Sequence, residues 1–304
     1  MDGLPVIGVD VGGTKTLAAV VTRDGTIETQ IDRPTDVSSQ DALLAGLDSI
    51  VEELRQGNEV AALGFGIPSR IDQRSGRAVA SVNIPLAGVD FRERMQARHR
   101  LPTGIENDAN AATIGEWHAG AAQGARQVVM LTLGTGVGGG LILDGRPYRG
   151  TTGVGAELGH IVIGVDGPPC GCGGHGHLES YASGRIADQA AQKLYGSGSD
   201  GHELVSRAQA GERDAVEVLG EIGERLGAGI ASFVNVFEPE VVVVGGGFGS
   251  AAGELLLASA REVVAREGLE PARDTVRLVS AELGFFAGVI GAGMIAFEAL
   301  DAGD

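Results

Sequence analysis

Cysteine and lysine are nearly missing from this 304-residue chain, each occurring only twice. Two cysteines cannot build the disulfide framework of a small secreted scaffold, and nothing else in the sequence points to an oxidising compartment. No basic N-terminal region leads into a long apolar run, so no signal peptide is expected. No stretch approaches the roughly 20 uninterrupted apolar residues of a membrane span, and the chain reads as cytoplasmic. Positive charge is also scarce: 40 acidic residues against 23 Lys and Arg leave a formal net charge of −17. With a pI of about 4.7, nucleic acid and anionic membranes are disfavoured as partners, because phosphate surfaces would be repelled at long range. Any phosphate the chain binds must therefore be held locally. Lys15 stands out, because Lys193 is the only other lysine and Lys15 lies in a Gly-rich turn.

What the chain does have is apolar residues and glycine. Hydrophobic residues make up 43% and mean hydropathy is +0.11, ample for a substantial core in one large domain or two ordinary ones. Glycine, at 51 residues, is about twice its usual share and implies many tight turns and close backbone approaches.

One segment gathers both cysteines and three of the six histidines: Glu157-Leu-Gly-His160, then Cys170-Gly-Cys172-Gly-Gly-His175-Gly-His177-Leu-Glu179. Tetrahedral zinc takes thiolate sulfur and imidazole nitrogen, and a Cys-x-Cys turn with a later His supplies three ligands at little loop-closure cost. His160 is the natural fourth, and His175 competes with His177. Four protein ligands leave no open position for a reacting water, so the site would be structural. A Cys-x-Cys disulfide or a pair of buried thiols is the plainer alternative, although such a disulfide is strained.

Val6-Ile7-Gly8-Val9-Asp10 has the pattern of a buried strand. It is followed by the turn Val11-Gly12-Gly13-Thr14-Lys15-Thr16 and a second apolar strand, Leu17 to Val21. Adjacent glycines let successive N–H groups face one concavity, to which Thr14 adds a hydroxyl and Lys15 a charge, chemistry suited to a polyphosphate. The spacing is too short for a Walker loop, and a strand follows where a Walker loop needs a helix. The arrangement recurs: a strand from Gln127 to Leu133, a Gly-rich turn from Gly134 through Thr135 and Gly136 to Gly140, and another strand start at Leu141 to Leu143. Two such units about 120 residues apart suggest a duplicated domain with one phosphate loop from each half at a central cleft. A third turn, Gly245-Gly246-Gly247-Phe248, follows the strand Val241 to Val244. It should precede a helix from about Ala252 to Glu267, the position where open α/β sheets bind nucleotides.

Between the hairpins, Glu106-Asn107-Asp108 ends a short strand and opens an Ala-rich helical stretch running to about Gly120. Asn107 or Asp108 is suited to cap that helix. Asp108 is also a candidate base for the proton of an attacking hydroxyl, and the two roles can be divided between neighbours. Glu212 to Leu226 reads as a helix with a solvated charged face.

Asp10-x-Gly-Gly-Thr-Lys, Glu106-Asn-Asp, Glu157-x-Gly-His and the Cys-x-Cys-Gly segment stand in the order and spacing of the ROK sugar kinases. The resemblance runs from Ile7 to at least Gly293 and is nearest to the bacterial glucokinase branch. It implies an α/β, actin-like ATPase (duplicated ribonuclease H-like) fold of two domains around a cleft, in a homodimer or higher homo-oligomer. Domain limits of 1–115 plus a C-terminal helix at 288–304, and 116–287 with the zinc loop, follow from it. It further implies transfer of phosphate from ATP to the 6-hydroxyl of a hexose, glucose first, with mannose, N-acetylglucosamine or N-acetylmannosamine as alternatives.

In family terms Gly12, Gly13, Thr14 and Lys15, with Gly134, Thr135 and Gly136, hold the ATP phosphates, and Gly245, Gly246 and Gly247 lie near the nucleoside. Asp10 holds Mg2+ through water and Asp108 is the base. Asn83, Asn107, Asp108, Glu157, His160 and Glu179 contact the sugar. His160, Cys170, Cys172 and His177 carry structural Zn2+, with His177 standing where the family has a third cysteine. Gly66-Ile-Pro-Ser69-Arg70-Ile-Asp72 replaces the commoner Gly-x-Pro-Gly and places Arg70 near the sugar or the cleft entrance. Some members are sugar-responsive repressors with an N-terminal winged helix, but a first strand beginning by Pro5 or Val6 leaves no room for one. Polyphosphate as donor would need a basic track that an acidic chain lacks.

Overall fold

The computed structural model describes residues 3–81 and 83–303, which fall into two compact units. Among the described residues the strands run in chain order as β1 (Val6–Val11), β2 (Lys15–Val21), β3 (Ile27–Pro34), β4 (Leu63–Ile67), β5 (Ser69–Asp72), β6 (Arg77–Ser81), β7 (Thr103–Asn107), β8 (Val128–Leu133), β9 (Val137–Leu143), β10 (Arg146–Pro147), β11 (Val241–Gly245) and β12 (Arg277–Ser280). The helices are α1 (Gln40–Arg55), α2 (Phe91–His99), α3 (Asp108–Ala119), α4 (Glu179–Ala182), α5 (Gly184–Tyr195), α6 (Gly201–Gln209), α7 (Arg213–Phe237), α8 (Gly246–Ala252), α9 (Glu254–Glu267), α10 (Ala272–Thr275) and α11 (Ala287–Asp301).

The first unit comprises Met1–Gly124, Pro147–Ala156 and Phe286–Asp304. Its boundary lies beyond the expected residue 115, because α3 continues to Ala119. The sheet order is β3-β2-β1-β4-β7, with β1 antiparallel to β2 and parallel to β4, and β4 parallel to β7. β1 and β4 are buried almost throughout, as central strands covered on both faces must be. The edge strand β3 shows no fully buried residue.

α11 is buried along most of its length and packs on β1, β4, β7 and α3. Its backbone lies close against both the sheet and α3 because glycine removes the obstruction: a Cβ at Gly64 on β4 would stand 1.8 Å from Ala292 O, and one at Gly291 would stand 1.7 Å from Ala111 O on α3. The segment Gly284–Asp301 is, by length and composition, apolar enough to cross a membrane. In this fold its apolar residues are core.

The second unit comprises Ala125–Arg146 and Glu157–Phe285. Its sheet order is β10-β9-β8-β11-β12, with β8 antiparallel to β9 and parallel to β11, and β11 parallel to β12. Numbered by appearance within each five-stranded sheet, both read 3-2-1-4-5, so the duplication expected from the repeated Gly-rich hairpins is present in the topology. Two expectations change. Gly138–Gly140 belong to β9, so the second turn is only Gly134 to Gly136. A helix starts directly at Gly246, ahead of the expected one from Ala252, and the α9 helix that follows begins at Glu254.

Candidate active site

In the first unit the parallel strands β1, β4 and β7 bring Asp10, Gly66 and Asn107–Asp108 toward one sheet end. The ladder pairs Asp10 with Gly66, and Gly66 with Glu106. A Cβ at Gly66 would lie 3.7 Å from Asp10 Oδ1 and 3.9 Å from Asp108 Cα, and one at Gly288 would lie 2.3 Å from Asp10 Oδ2. Asp10 thus sits in a recess that glycines leave open. Burial first, and the charge of Asp108 second, push its carboxyl up to about 7, as expected when a carboxylate loses water and faces another acid.

Asn107 caps α3, its side-chain oxygen accepting from the Ala109 and Asn110 amides at 3.0 and 3.2 Å, and its amide donates to Asp108 Oδ1 at 2.9 Å. Asn107 is therefore the cap, and Asp108 is the first helical residue. Asn83 lies beside the first Gly-rich turn, its Cβ 3.5 Å from where a Gly13 Cβ would be. In that turn Gly12 N donates to Lys15 O at 2.9 Å and the Thr35 hydroxyl donates to Gly12 O at 2.8 Å, with Gly13 and Thr14 exposed at the tip. Lys15 opens β2 and pairs with Asp32 at 2.6 Å, both side chains more than half exposed. Arg70 is exposed on β5.

In the second unit Gly134 N donates to Gly136 O at 2.9 Å and Gly184 N to Gly134 O at 2.7 Å. Glu179 Oε2 accepts the Val137 amide at 3.0 Å, and a Cβ on Gly136 would stand 2.3 Å from that same oxygen. Gly246, at φ +79°, carries no side chain because a Cβ there would lie 2.5 Å from Leu133 N. The second and third turns are thus adjacent, Gly246 packing on Leu133, the residue before Gly134, at the end of β8. The start of α5 joins them: a Cβ at Gly184 would meet Gly134 O at 2.7 Å and Phe248 Cβ at 3.3 Å. The sequence reading missed Ser183–Gly184; the one available signal was a Ser-Gly pair ahead of an amphipathic stretch.

His160, Cys170, Cys172 and His177 come together with one ligand atom from each inside 4.8 Å of one another. Cys170 Sγ is 3.7 Å from His160 Nδ1 and Cys172 Sγ is 3.2 Å from His177 Nδ1. Tetrahedral zinc with bonds of about 2.0–2.3 Å would set its ligands roughly 3.3–3.8 Å apart, so the donor set and spacing fit. Both cysteines are free thiols, and burial raises the pKa of Cys170. His175 is outside the cluster, bridging to Pro169 instead. The other His160 nitrogen, Nε2, faces Glu157 at 3.9 Å. Glu179 Oε1 accepts from the Cys170 thiol at 3.4 Å.

The ROK family model matches residues 6–299. A glucokinase of Streptomyces coelicolor is 36% identical over 313 aligned positions, spanning 96% of this chain and 97% of that one. An N-acetylmannosamine kinase of Citrobacter koseri is 35% identical over 298, spanning 96% and 99%. Among solved structures, a ROK glucokinase from Streptomyces griseus in complex with glucose and AMPPNP superposes with a TM-score of 0.84 at 35% identity, covering 97% of this chain and 99% of that one. A ROK hexokinase from Thermus thermophilus gives 0.86 at 35%, covering 98% and 100%. With the two like-ordered sheets, these matches identify the fold as the actin-like ATPase fold, and the chain belongs to the ROK family.

Proposed function

We infer that this chain is an ATP-dependent hexose kinase that converts glucose to glucose 6-phosphate. The observation carrying the reading is Asp108 at the start of α3, close enough to Asp10 that its charge helps raise the Asp10 pKa, in a chain 36% identical to a glucokinase over 96% of its length. Asp108 accepts the proton of the sugar 6-hydroxyl while that oxygen bonds to the γ-phosphorus and the bond from phosphorus to the β–γ bridging oxygen breaks. A carboxylate is a weak base at neutral pH, so it matters mainly late, once the attacking oxygen has become acidic. Most of the acceleration then comes from alignment and fixed donors.

Gly12, Gly13, Thr14 and Lys15, and Gly134, Thr135 and Gly136, are assigned to the phosphates, with Lys15 exchanging its exposed Asp32 partner for one. Gly245, Gly246 and Gly247 are assigned to the nucleoside. Asp10 would hold Mg2+ through water, and the ion supplies neutralisation of phosphoryl charge. Asn83, Asn107, Glu157, His160 and Glu179 are assigned to sugar hydroxyls. His160, Cys170, Cys172 and His177 would hold structural zinc, which fixes the loop carrying these groups. Free thiols suit the reducing cytoplasm, and assembly as a homodimer is part of the proposal.

N-acetylmannosamine is the second candidate acceptor, favoured by the similarity to the Citrobacter kinase. A coupled ADP-release assay across hexoses and N-acetylhexosamines separates the two, with glucose expected to give the highest kcat/KM. Asp108→Asn should keep the fold and sugar affinity and lose roughly 100-fold or more in kcat. Near-wild-type turnover by that variant would remove Asp108 from the mechanism, and no turnover by the wild type on any sugar would leave a binding or regulatory role.

A further inference from the structure

Glu106 is fully buried, yet none of the roles above uses it. One carboxylate oxygen, Oε1, accepts three donors: the Asn107 backbone amide at 2.9 Å, Gln73 Nε2 at 3.0 Å and Asn110 Nδ2 at 3.2 Å. The other, Oε2, receives Arg149 Nε at 2.5 Å. The far side of the same guanidinium grips Glu298 on α11 through two parallel bonds, at 3.0 and 2.7 Å. Arg149 lies in the short segment Pro147–Ala156, which interrupts the second unit in sequence but packs with the first. That segment closes on itself, Gly155 N donating to Arg149 O at 3.0 Å. It is also pinned at Gly153, where a Cβ would stand 2.2 Å from Ile71 O and 2.9 Å from Gln73 Cγ.

We propose that Arg149 is a positioning residue for the base, acting through Glu106 to fix the β7–α3 junction on which Asp108 is mounted. This rests on the kinase reading above. The connection is continuous: Glu298 orients the guanidinium, the guanidinium orients Glu106, and Glu106 holds the backbone of Asn107 and the side chain of Asn110. Asn107 in turn caps α3 and donates to Asp108 Oδ1. A buried carboxylate with a single cationic partner has one stable orientation only while that partner stays. The planar fork of arginine satisfies two carboxylates at fixed angles, which a lysine ammonium cannot do. The network therefore sets where Asp108 sits relative to the hydroxyl it must meet, and misplacement by about 1 Å can cost on the order of 100-fold in rate.

The test compares wild type, Arg149→Lys, Glu298→Gln and the double variant Arg149→Met/Glu106→Gln in steady-state kinetics with glucose and ATP, alongside thermal melts. Arg149→Lys should lose ~10- to 100-fold in kcat with KM for ATP unchanged within about twofold, because the phosphate loops are not touched. Glu298→Gln, which spares the Arg149–Glu106 contact, should lose only about threefold. If Arg149→Lys does not fold, the double variant, which leaves no unpaired buried charge, should fold and still show the kcat loss. Wild-type kcat in whichever of these variants folds, with or without a lower melting temperature, would make Arg149 a structural ion pair and overturn the proposal. An active wild type separates that result from failure of the kinase reading, since a wild type inactive on every sugar would overturn both.

Discussion

Asp10 is caught between two demands. Its recess among Gly66 and Gly288 is the site proposed above for the cation that accompanies ATP, but in the protein alone that recess deprives the carboxyl of water and sets it near Asp108. Its pKa accordingly rises from 3.8 to about 7. Between roughly pH 4 and 7 the folded protein keeps a proton that the unfolded chain has released, so stability falls as pH rises through that window and is level above it. The full displacement would be worth ~4 kcal/mol; Asp10 keeps a small exposed face, so about 1–3 kcal/mol is the reasonable expectation. Asp10→Asn cannot ionise and should be more stable than wild type at pH 8 by that amount, equal to it near pH 4, and without kinase activity. Denaturant unfolding of both proteins at pH 4.5 and 8 checks this. A variant less stable than wild type at pH 8 would mean that the carboxylate is well accommodated. Lys15 behaves otherwise: an ion pair more than half exposed at each end adds little stability, so it would cost little to exchange for the phosphate proposed above.

The stretch from Ile161 to Leu178 is an element with almost no regular structure. Isolated bridges join Val162 to His177 and Pro169 to His175, and a few turn bonds such as Cys170 N to Gly174 O at 2.8 Å close it. Such a loop, with six glycines between Gly164 and Gly176, has much conformational entropy to lose, and four ligands on one ion would fix it. Dialysis against a strong chelator should therefore release about one zinc per chain. It should also raise KM for glucose by ~10-fold or more while changing kcat at saturating sugar much less. Metal analysis with glucose titration measures both, and full glucose affinity in metal-free protein would separate the loop from the sugar.

The cluster of His160, Cys170, Cys172 and His177 was legible in the sequence because all four residues lie within 18 positions of one another and the chemistry of Cys and His is narrow. The two hairpins were legible because apolar runs bracket their glycines. Gly138–Gly140 were not: three glycines in a row read as a turn, and only pairing with Thr132, Leu131 and Met130 makes them strand. The start of α8 at Gly246 was hidden in the same way, since a triple glycine is a poor helix former and the helix there is imposed by packing on β8. The Arg149–Glu106 pair was beyond reach altogether, because nothing in either local sequence specifies a partner 43 positions away.

At the scale of the whole molecule the dominant fact is charge. A chain with net −17 must capture ATP, itself an anion, so binding occurs against the long-range field and, on the assignment proposed above, would rely on local donors: the amides of two Gly-rich turns and the ammonium of Lys15. These two contributions respond oppositely to salt. Repulsion acts over the Debye length, about 30 Å at 0.01 M and 8 Å at 0.15 M, and is largely screened by physiological ionic strength, whereas bonds to phosphate oxygens at contact distance are screened far less. The association rate of ATP should therefore rise severalfold, on the order of three- to tenfold, between 0.01 and 0.15 M salt, the reverse of the usual behaviour of phosphate-binding proteins with basic surfaces. Glucose carries no charge, so its association rate should stay flat over the same range and serves as the internal control. Stopped-flow binding of a fluorescent ATP analogue at fixed Mg2+, with intrinsic-fluorescence detection of glucose binding, measures both rates. If the nucleotide rate instead falls steadily with salt, the potential at the phosphate turns is positive in spite of the net charge, and Lys15 with neighbouring arginines must outweigh the acidic remainder of the surface.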